Sequence, residues 1–449
     1  MNVELLVLGV SHKTAPLPVR ERLALPDARA ARVLAELTDH EAVHEAVAVS
    51  TCNRTELYLI TADAVAAESA ALGVLSRQAG IRPTELLGAI YSLRGREMVE
   101  HLFSVAAGLE SMIVGEAEIQ GQVKRAYELA LVEGATGPVS NRLFRDALAA
   151  GKRARSETDV SRSNVSVSSV AVQLAAGFLG DLATRRVLVI GAGENAELTA
   201  RALRDRGVQT VFVANRRYDR ALGLAQRFGG EAVTFEDLPA ELEAADIVVS
   251  STGAPHQIVG REELALVSAR RVNRPLVLLD LAVPRDIEPA ARDCPGIALY
   301  DMDDLQQAVA NNLGAREAEA AEARVLVRQE VERFEQWLTS LDVLPTISAL
   351  RRRGDDIVEQ VLRENESRWE TLSPGDRERL EAMARSVVSR LLHDPTLRLK
   401  DSAGENDSYR YVHALRELFG LELDALGAEA ESQGAEVMPL APRRRQRSG

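Results

Sequence analysis

A cysteine with an arginine two positions later is the feature of this sequence best suited to covalent chemistry. Cys52 is one of only two cysteines among 449 residues, and Arg54 follows it closely. The thiolate form of cysteine is a strong nucleophile, although an ordinary thiol is mostly protonated at neutral pH. Arg54 can lower the pKa of Cys52 or bind a substrate carboxylate through two hydrogen bonds. A plain buried cysteine is the alternative, because free cysteines are among the most buried residues.

The residues on both sides of Cys52 predict an α+β domain with the thiol beside the end of a strand. Alternating and β-branched apolar residues are typical of strands, whereas apolar residues three or four positions apart indicate an amphipathic helix. Asp27 follows Pro26 and is predicted as the N-cap of the first helix. We expect strands over residues 4–10, 45–50 and 57–60, and helices over 27–38 and 63–80.

Other residues of metal-ligand or nucleophile type are interpreted as structural. His40 and His44 have a spacing that can hold a metal ion, but no Glu or Cys is placed to complete the site. Two exposed histidines at a helix end are therefore favoured, and no metal site is predicted. Cys294 lies in an Asp-Cys-Pro-Gly turn with only Arg292 as a basic neighbour, and we interpret it as structural.

The region between residues 95 and 182 is predicted to be almost entirely helical, with one unusual interruption. Gly108 and Gly115 enclose a short apolar stretch that is typical of a pocket wall. Glu116 and Glu118 begin the next helix, where carboxylates suit the positive end of the helix dipole.

Farther along this region, basic residues form a stripe in an otherwise acidic protein. The stripe is a candidate for contact with a nucleic-acid backbone. A solvated charged face is the usual interpretation of such a run. Its members are Arg142, Arg145, Lys152, Arg153, Arg155 and Arg162.

The clearest motif is a strand, a glycine turn and a helix in direct succession. Residues 186–190 are continuously apolar, and a helix is predicted over 198–206. The glycines between them permit a pyrophosphate to approach the helix N-terminus, which indicates a dinucleotide-binding turn. A similar domain without a cofactor is the alternative. The predicted cofactor-binding residues are Gly191, Ala192, Gly193, Glu194, Asn195 and Ala196.

The end of the next strand favours NADP over NAD. An acidic residue at this position would accept hydrogen bonds from the ribose 2′-hydroxyl, whereas donors suit a 2′-phosphate. The chain has Asn215, Arg216 and Arg217 after a strand over 210–214. Further strands over 247–250 and 276–280 extend a doubly wound parallel sheet, and residues 297–300 form another strand-like run.

The C-terminal part of the chain is predicted to be helical. Apolar residues spaced 4-3-4-3 over 327–341 form the seam of one helix, which Pro345 is expected to end. Further helices are expected at about 346–370 and 374–393. A dimerisation domain is the simplest interpretation, and a monomeric helical cap is the alternative. The polar tail over 425–449 is predicted to be disordered.

Composition argues against several classes of protein. The net charge of −13 argues against a general nucleic-acid binder. No apolar run is long enough to span a membrane, and no export signal is recognisable at the N-terminus. Two distant cysteines make no disulfide framework, so we expect a cytoplasmic protein.

Several motifs in chain order resemble those of one family, the glutamyl-tRNA reductases. The similarity extends over almost the whole chain, and several of the strings are unusual. The motifs are GVSHKTAP (9–16), STCNRTE (50–56), GLESMIVGEAEIQGQVK (108–124), GAGE (191–194), NRR (215–217), LPTISALRRR (344–353) and LLHDPT (391–396).

The resemblance implies a multidomain α/β protein. Its parts would be an α+β catalytic and tRNA-recognition domain over 1–160, a Rossmann-like NADP-binding domain over 161–305 and an all-helical dimerisation domain over 306–424. A long spine helix joins the domains of this family into a V-shaped homodimer. The implied reaction is the NADPH-dependent reduction of glutamyl-tRNA(Glu) to glutamate-1-semialdehyde with release of tRNA(Glu), the first step of tetrapyrrole (porphyrin) biosynthesis. An aminomutase that consumes the semialdehyde is an implied partner.

The resemblance also implies roles for individual residues. Cys52 is the nucleophile that forms a thioester, and His101 supports activity as a proton donor to the departing tRNA hydroxyl. The family usually has Gln where this chain has Glu118, and Leu where it has Gln120. The substrate-binding residues implied are Thr51, Asn53, Arg54, Ser111, Glu116, Ala117, Glu118 and Gln122.

Two other classes of function remain open from the residues. An NADP-dependent dehydrogenase of a small hydroxy acid or ketone needs no nucleophilic cysteine. A non-catalytic tRNA-binding scaffold would retain NADPH only as a structural group.

Overall fold

The structure is a computed structural model in two compact units, divided after Phe334 and described separately. Arg162, Ala192, Arg216, Arg217 and the predicted disordered tail lie outside the residues that it describes. The described residues are 3–158, 160, 166–191, 193–208, 210–215, 218–271, 273–310, 317–369, 372–402 and 408–421.

The first unit begins with the predicted α+β domain. Its strands are β1 (Glu4–Ser11), β2 (Val43–Ser50), β3 (Arg54–Thr61) and β4 (Tyr91–Arg94). Its helices are α1 (Leu17–Leu23), α2 (Asp27–Thr38), α3 (Ala64–Ala79), α4 (Pro83–Leu86), α5 (Gly95–Ala106), α6 (Glu118–Val132) and α7 (Pro138–Glu157).

The strands form an antiparallel sheet in the order β2-β3-β1-β4. Helices α2 and α6 pack against β2, and α3 and α5 pack against β1, so apolar residues of both elements are removed from water. Every residue of β3 is buried, including its polar ones. The sheet therefore holds polar side chains in a low-dielectric interior, where each requires a partner.

Two local predictions in this domain are wrong. Asp27 is the first residue of α2 rather than its N-cap, because Pro26 occupies the cap position and makes no side-chain hydrogen bond there. His44 lies exposed on β2 and not at a helix end, whereas His40 follows α2 and accepts from Ala42 N through Nδ1 at 3.2 Å.

The second domain of the first unit alternates strands and helices. Its strands are β5 (Arg186–Ile190), β6 (Thr210–Ala214), β7 (Glu231–Val233), β8 (Ile247–Ser250), β9 (Leu276–Asp280) and β10 (Ile297–Tyr300). Its helices are α8 (Val167–Leu179), α9 (Glu194–Asp205), α10 (Tyr218–Phe228), α11 (Leu238–Ala244), α12 (Arg261–Arg270) and α13 (Met302–Ala310), with a 3₁₀ turn at Pro289–Asp293.

These strands form one parallel sheet in the order β10-β9-β8-β5-β6-β7, which confirms the predicted doubly wound fold. The chain order reverses between β5 and β8, and ligands of such sheets bind at the carboxyl ends of the strands on either side of this switch point. Cys294 is buried in the core of this domain, as expected for a structural cysteine.

The remaining helices are α14 (Glu317–Glu364), α15 (Pro374–Asp401) and α16 (Ser408–Phe419), with a 3₁₀ turn at Glu366–Arg368. The prediction that Pro345 ends a helix is wrong, because Pro345 lies inside α14. A proline removes one backbone hydrogen bond and adds a steric clash, a local cost that the many bonded turns on either side outweigh in so long a helix. Pro395 likewise lies inside α15, which ends at Asp401 instead of residue 393.

The second unit has a small core in which Val343, Ile347 and Leu399 are buried together. Arg416 on α16 donates to Thr346 Oγ1 at 3.0 Å and ties that helix to α14. None of the described helices combines the length and the apolar character that crossing a lipid bilayer requires.

Candidate active site

Cys52 lies in the tight loop that joins β2 to β3. Ser50 pairs with Thr55 across the hairpin, and Thr51 N donates to Arg54 O at 2.8 Å. Asn53 N donates to Thr51 Oγ1 at 3.1 Å, so the backbone on both sides of the cysteine is fixed. The loop therefore presents the thiol at the end of a strand, where the sequence placed it.

The sulfur lies where the two domains of the first unit meet. Cys52 is half-buried and packs against a hydrophobic cluster that contains Met112 and Ile113 of the first domain. The same cluster includes Leu281 and Met302 of the second domain. The side chain retains part of its surface although it packs against this core.

Helix α1 connects this loop to the second domain. Arg20 Nη1 donates to the carbonyl oxygen of Cys52 at 2.8 Å, while its Nη2 pairs with Asp303 on α13. The next residue, Glu21, accepts from the guanidinium of Arg285 through both carboxylate oxygens at 2.8 Å. One buried arginine thus contacts both the backbone of the nucleophile and the second domain.

Burial raises the pKa of the Cys52 thiol to about 12. The carboxylates of Glu116 and Glu118 contribute to this rise, whereas the charge of Arg20 opposes it. The predicted lowering of the Cys52 pKa by Arg54 is wrong, because Arg54 pairs with a carboxylate and the main cationic influence is Arg20. A thiol with this pKa is almost wholly protonated at neutral pH.

Glu116→Gln is therefore expected to lower the pKa of Cys52 and to speed alkylation by iodoacetamide at pH 8. Each unit of decrease gives tenfold more thiolate but a weaker nucleophile, so the net gain is about threefold per unit. The measurement is the second-order rate of alkylation across pH 7 to 10. Glu110→Gln is the matched control, since Glu110 pairs with Lys13. An unchanged or slower rate in Glu116→Gln would contradict this electrostatic account.

A buried carboxylate organises the polar groups behind the loop. Glu56 on β3 accepts from Arg54 Nη1 at 2.7 Å, from the hydroxyl of Tyr58 at 2.6 Å and from that of Tyr91. His101 Nε2 lies 2.9 Å from the same carboxylate. Burial alone would raise the pKa of Glu56, but Arg54 and His101 hold it well below its usual value. Glu56 is therefore ionised at neutral pH.

This ionised carboxylate fixes the tautomer of His101. A carboxylate without a proton only accepts hydrogen bonds, so the Nε2 of His101 must carry the hydrogen that is donated to Glu56. In the neutral ring, Nδ1 is then the nitrogen with a free lone pair. His101 can take up a proton at Nδ1 while Glu56 stabilises the resulting cation, as in other carboxylate–histidine pairs.

The structure brings some of the predicted substrate residues close to the sulfur and directs others elsewhere. Glu116 and Glu118 act on the charge of the thiol, as described above. Ala117 is exposed at the N-terminus of α6, and Gln122 is half-buried on the same helix. Gln120, the second departure from the family pattern, donates to Leu148 O on α7 at 2.7 Å.

Two members of the predicted basic stripe have carboxylate partners. Arg142 pairs with Asp146 at 2.7 Å, and Arg153 pairs with Glu157 at 3.1 Å and with Glu330 at 2.7 Å. For these two residues the solvated face is the better interpretation. The exposed members without an acidic partner in the described residues are Arg145 and Lys152.

The glycine turn after β5 has the geometry of a dinucleotide site. Gly191 has a φ of +100°, and a Cβ there would lie 2.4 Å from the carbonyl oxygen of Ser251. A Cβ at Gly193 would lie 3.1 Å from the same oxygen. Helix α9 begins directly at Glu194, four residues before the predicted start, so its free N–H groups face the end of the sheet.

The described residues of this turn therefore fit the pyrophosphate of NADPH. Asn195 is half-buried and Ala196 fully buried on α9. Asn215 follows β6, where a donor for the adenosine ribose is expected. Arg216 and Arg217, which are predicted to favour NADP, lie outside the described residues.

Gly191→Ala is expected to weaken NADPH binding at least tenfold and to destabilise the fold. The added methyl group would collide with the backbone of Ser251, and an alanine at this φ is itself strained by about 1–3 kcal/mol. Fluorescence titration with NADPH and a thermal unfolding scan measure the two effects. Gly223→Ala is the control, because nothing lies within 4 Å of a Cβ at that position in α10. Unchanged NADPH affinity in Gly191→Ala would contradict the assignment of the turn.

Fold and site together define an oxidoreductase-like architecture in which a thiol-bearing domain adjoins a dinucleotide-binding domain. Comparison with known proteins matches three family models in chain order. Residues 8–158 match the model of the glutamyl-tRNA reductase N-terminal domain, 173–308 that of shikimate/quinate 5-dehydrogenase, and 322–421 that of the glutamyl-tRNA reductase dimerisation domain.

Relatives and a solved structure match over nearly the full length. The glutamyl-tRNA reductase of Magnetococcus marinus is 43% identical over 94% of this chain and 100% of its own length. That of Moorella thermoacetica is 44% identical over 93% of this chain and 95% of its own. The structure of glutamyl-tRNA reductase from Methanopyrus kandleri is 32% identical, covers 93% of this chain and 99% of its own, and has a TM-score of 0.50. The chain belongs to the glutamyl-tRNA reductase family.

Two residues that sequence reasoning left without a role are central to this geometry. Arg20 is hidden in a short helix that looks amphipathic, and only its burial reveals a structural role. Glu56 had a weak signal, since it directly precedes the apolar run over 57–60, and a charged residue buried beside such a run requires a partner.

Proposed function

We propose that this protein catalyses the NADPH-dependent reduction of glutamyl-tRNA(Glu) to glutamate-1-semialdehyde with release of tRNA(Glu), as the first step of tetrapyrrole biosynthesis. The observation that carries the proposal is the position of Cys52, half-buried at the junction between its own domain and the dinucleotide-binding domain. Near full-length similarity to relatives named glutamyl-tRNA reductase supports it. We propose domain limits of 1–160, 161–305 and 306–424.

In the first step, the Cys52 sulfur attacks the ester carbonyl of the glutamyl group. A carbon–sulfur bond forms, the bond to the tRNA oxygen breaks, and the thiol proton ends on the departing hydroxyl. His101 Nδ1 is the proposed carrier of that proton, because Glu56 holds the opposite ring nitrogen. The thioester carbonyl is more electrophilic than the original ester, so one difficult reduction becomes two easier steps.

Substrate binding would also lower the high pKa of the Cys52 thiol. The glutamyl group carries an α-ammonium, and the carboxylates of Glu116 and Glu118 are the proposed partners of that cation. Pairing them would offset the two negative charges that, next to burial, oppose the thiolate, so bound substrate would favour formation of the nucleophile. Thr51, Asn53, Arg54, Ser111, Ala117 and Gln122 are the other proposed substrate-binding residues.

In the second step, the thioester carbon is reduced to the aldehyde and the sulfur departs. Bound NADPH supplies the hydride for this step. Gly191, Gly193 and the N-terminus of α9 would hold its pyrophosphate, together with Ala192, Glu194, Asn195 and Ala196, while Asn215, Arg216 and Arg217 would face the 2′-phosphate. A proton from solvent restores the thiol after the thiolate leaves, and Arg20 keeps the loop in place through the carbonyl oxygen of Cys52.

Single-turnover mixing of the protein with NADPH and glutamyl-tRNA(Glu) tests the proposal against its rivals. We expect NADPH consumption together with a transient protein thioester that is trapped by acid and located at Cys52 by mass spectrometry. A hydroxy-acid dehydrogenase would oxidise or reduce a small substrate and leave the tRNA ester intact. A scaffold would bind both molecules without consuming either, and this result would refute the proposal.

We also propose a homodimer in the cytoplasm. The described parts of α14 and α15 expose apolar side chains that a partner helix would cover, and the match to a dimerisation-domain model points the same way. Two free thiols suit a reducing compartment. Since the semialdehyde product is reactive, an aminomutase that receives it directly is a proposed partner. The exposed apolar residues are Ile357, Val361, Met383, Val387 and Leu391.

A further inference from the structure

Three buried polar atoms near the hairpin loop have no hydrogen-bond partner among the described residues. They are His12 Nδ1, Arg54 Nε and Ser111 Oγ. More than nine in ten buried polar groups in proteins are paired, so three exceptions in one neighbourhood require an explanation. They belong to three segments that meet: His12 N donates to Asn53 O at 2.8 Å, and Arg54 Nη2 donates to the carbonyl oxygen of Glu110.

His12 is a neutral imidazole in this setting. Burial, together with the neighbouring charges of Arg54, Lys13 and Arg20, lowers the pKa of His12 to about 4 against an opposing effect of Glu110. A neutral ring has one N–H donor and one acceptor nitrogen, and the groups that each nitrogen faces determine which of the two carries the hydrogen. With an Arg N–H and a Ser hydroxyl as the other unpaired groups, a single ligand that accepts from all three satisfies the set.

We propose that His12 is a substrate-specificity residue that donates from Nδ1 to the side-chain carboxylate of the glutamyl group. The inference rests on the proposed function and extends it, since it assigns a role to a residue outside the set already proposed to bind substrate. A carboxylate only accepts hydrogen bonds, which matches the three orphaned groups. Arg54, Lys13 and Arg20 lie near His12, although each also pairs with a carboxylate, and Glu110 adds a negative charge there. The proposed place of the α-ammonium is beside Glu116.

The neutrality of His12 also explains how the pocket distinguishes glutamate from glutamine. A carboxamide presents one oxygen and one NH₂ group, and the NH₂ group would face donors that cannot accept from it. A site built from buried groups that must be paired rejects a ligand that leaves them unpaired much more strongly than its size alone would. His12 is one of the groups that enforces this rejection.

The test compares His12→Leu, His12→Asn and His12→Gln in steady-state reduction of glutamyl-tRNA and glutaminyl-tRNA, with His44→Gln as the exposed-histidine control. The amide nitrogen of Asn is attached to Cγ, as Nδ1 is in histidine, so it can replace that donor; the amide of Gln lies one bond farther out. We expect His12→Leu to raise KM for glutamyl-tRNA by about tenfold or more, and to reduce the preference over glutaminyl-tRNA. His12→Asn should restore much of both, and His12→Gln less.

The Tm of each variant distinguishes a role of His12 in substrate specificity from a role in holding the fold. Leu removes a buried nitrogen that has no partner, so His12→Leu is expected to keep or increase Tm while it loses affinity. If His12→Leu binds both substrates as the parent does, or if all three variants lose Tm and activity in parallel, the inference is overturned. An active parent with an unaffected His12→Leu refutes only the role of His12, whereas an inactive parent refutes the proposed function and the inference with it.

Discussion

Cys52→Ser is expected to abolish aldehyde formation, with a loss of about four orders of magnitude or more, while NADPH binding stays unchanged. Serine keeps the size and hydrogen-bonding capacity of the side chain but is a far weaker nucleophile at neutral pH. Loss of a nucleophile in a covalent mechanism typically removes nearly all of the chemical rate enhancement. The measurements are NADPH oxidation with glutamyl-tRNA(Glu) and a separate fluorescence titration of NADPH.

Cys294→Ser is the matched control, because it changes the only other thiol. Cys294 is buried in the core of the dinucleotide-binding domain and lies outside the cluster around Cys52. We expect this variant to retain activity after a modest loss of stability. Alkylation should inactivate the parent and Cys294→Ser alike. Turnover that survives in Cys52→Ser would refute the thioester route.

The regular elements were predictable because their signals are local. The strand at residues 186–190 is buried on both faces and reads as a continuous apolar run, and the glycine turn after it follows from backbone geometry alone. The prediction of a helix end at a proline was wrong because that signal is also local. At Pro345 a local rule predicts a helix end, whereas the observed helix is stabilised by turns far from the proline.

The site was predictable only in part, because its electrostatics depend on residues distant in sequence. Arg54 was singled out because it follows Cys52 closely in the sequence, but its partner Glu56 could be recognised only once β3 was known to be buried throughout. Burial is the main cause of the high pKa of Cys52, and Glu116, more than sixty residues away in the chain, contributes to the rise. Arg20 reaches Asp303 across an even longer separation. No rule based on the spacing of residues along the sequence predicts these contacts.

Glu56→Gln is expected to destabilise the catalytic domain strongly. It removes the counter-ion of Arg54, whose guanidinium is 98% shielded from water, since its relative exposure is 2%. Leaving one partner of a buried ion pair uncompensated typically costs about 3–5 kcal/mol. Glutamine is almost isosteric, so the loss reports charge rather than packing. Chemical denaturation followed by circular dichroism measures the change, with Glu36→Gln, at the exposed pair with Arg77, as the control that should cost at most about 1 kcal/mol.

The same substitution should also change how stability depends on pH. The pKa of Glu56 is depressed in the folded protein, so its contribution is complete above the usual carboxyl value of 4.5 and is lost as pH falls from there toward the lower folded value. The parent should therefore lose stability on acidification below about pH 4.5 more steeply than Glu56→Gln, which has no carboxylate to protonate at this position. Because His101 loses the same acceptor, activity should fall in parallel at neutral pH. Equal acid sensitivity in the two proteins, or a Glu56→Gln variant as stable as Glu36→Gln, would show that Arg54 is not held by this charge and that the polar cluster behind Cys52 is organised in another way.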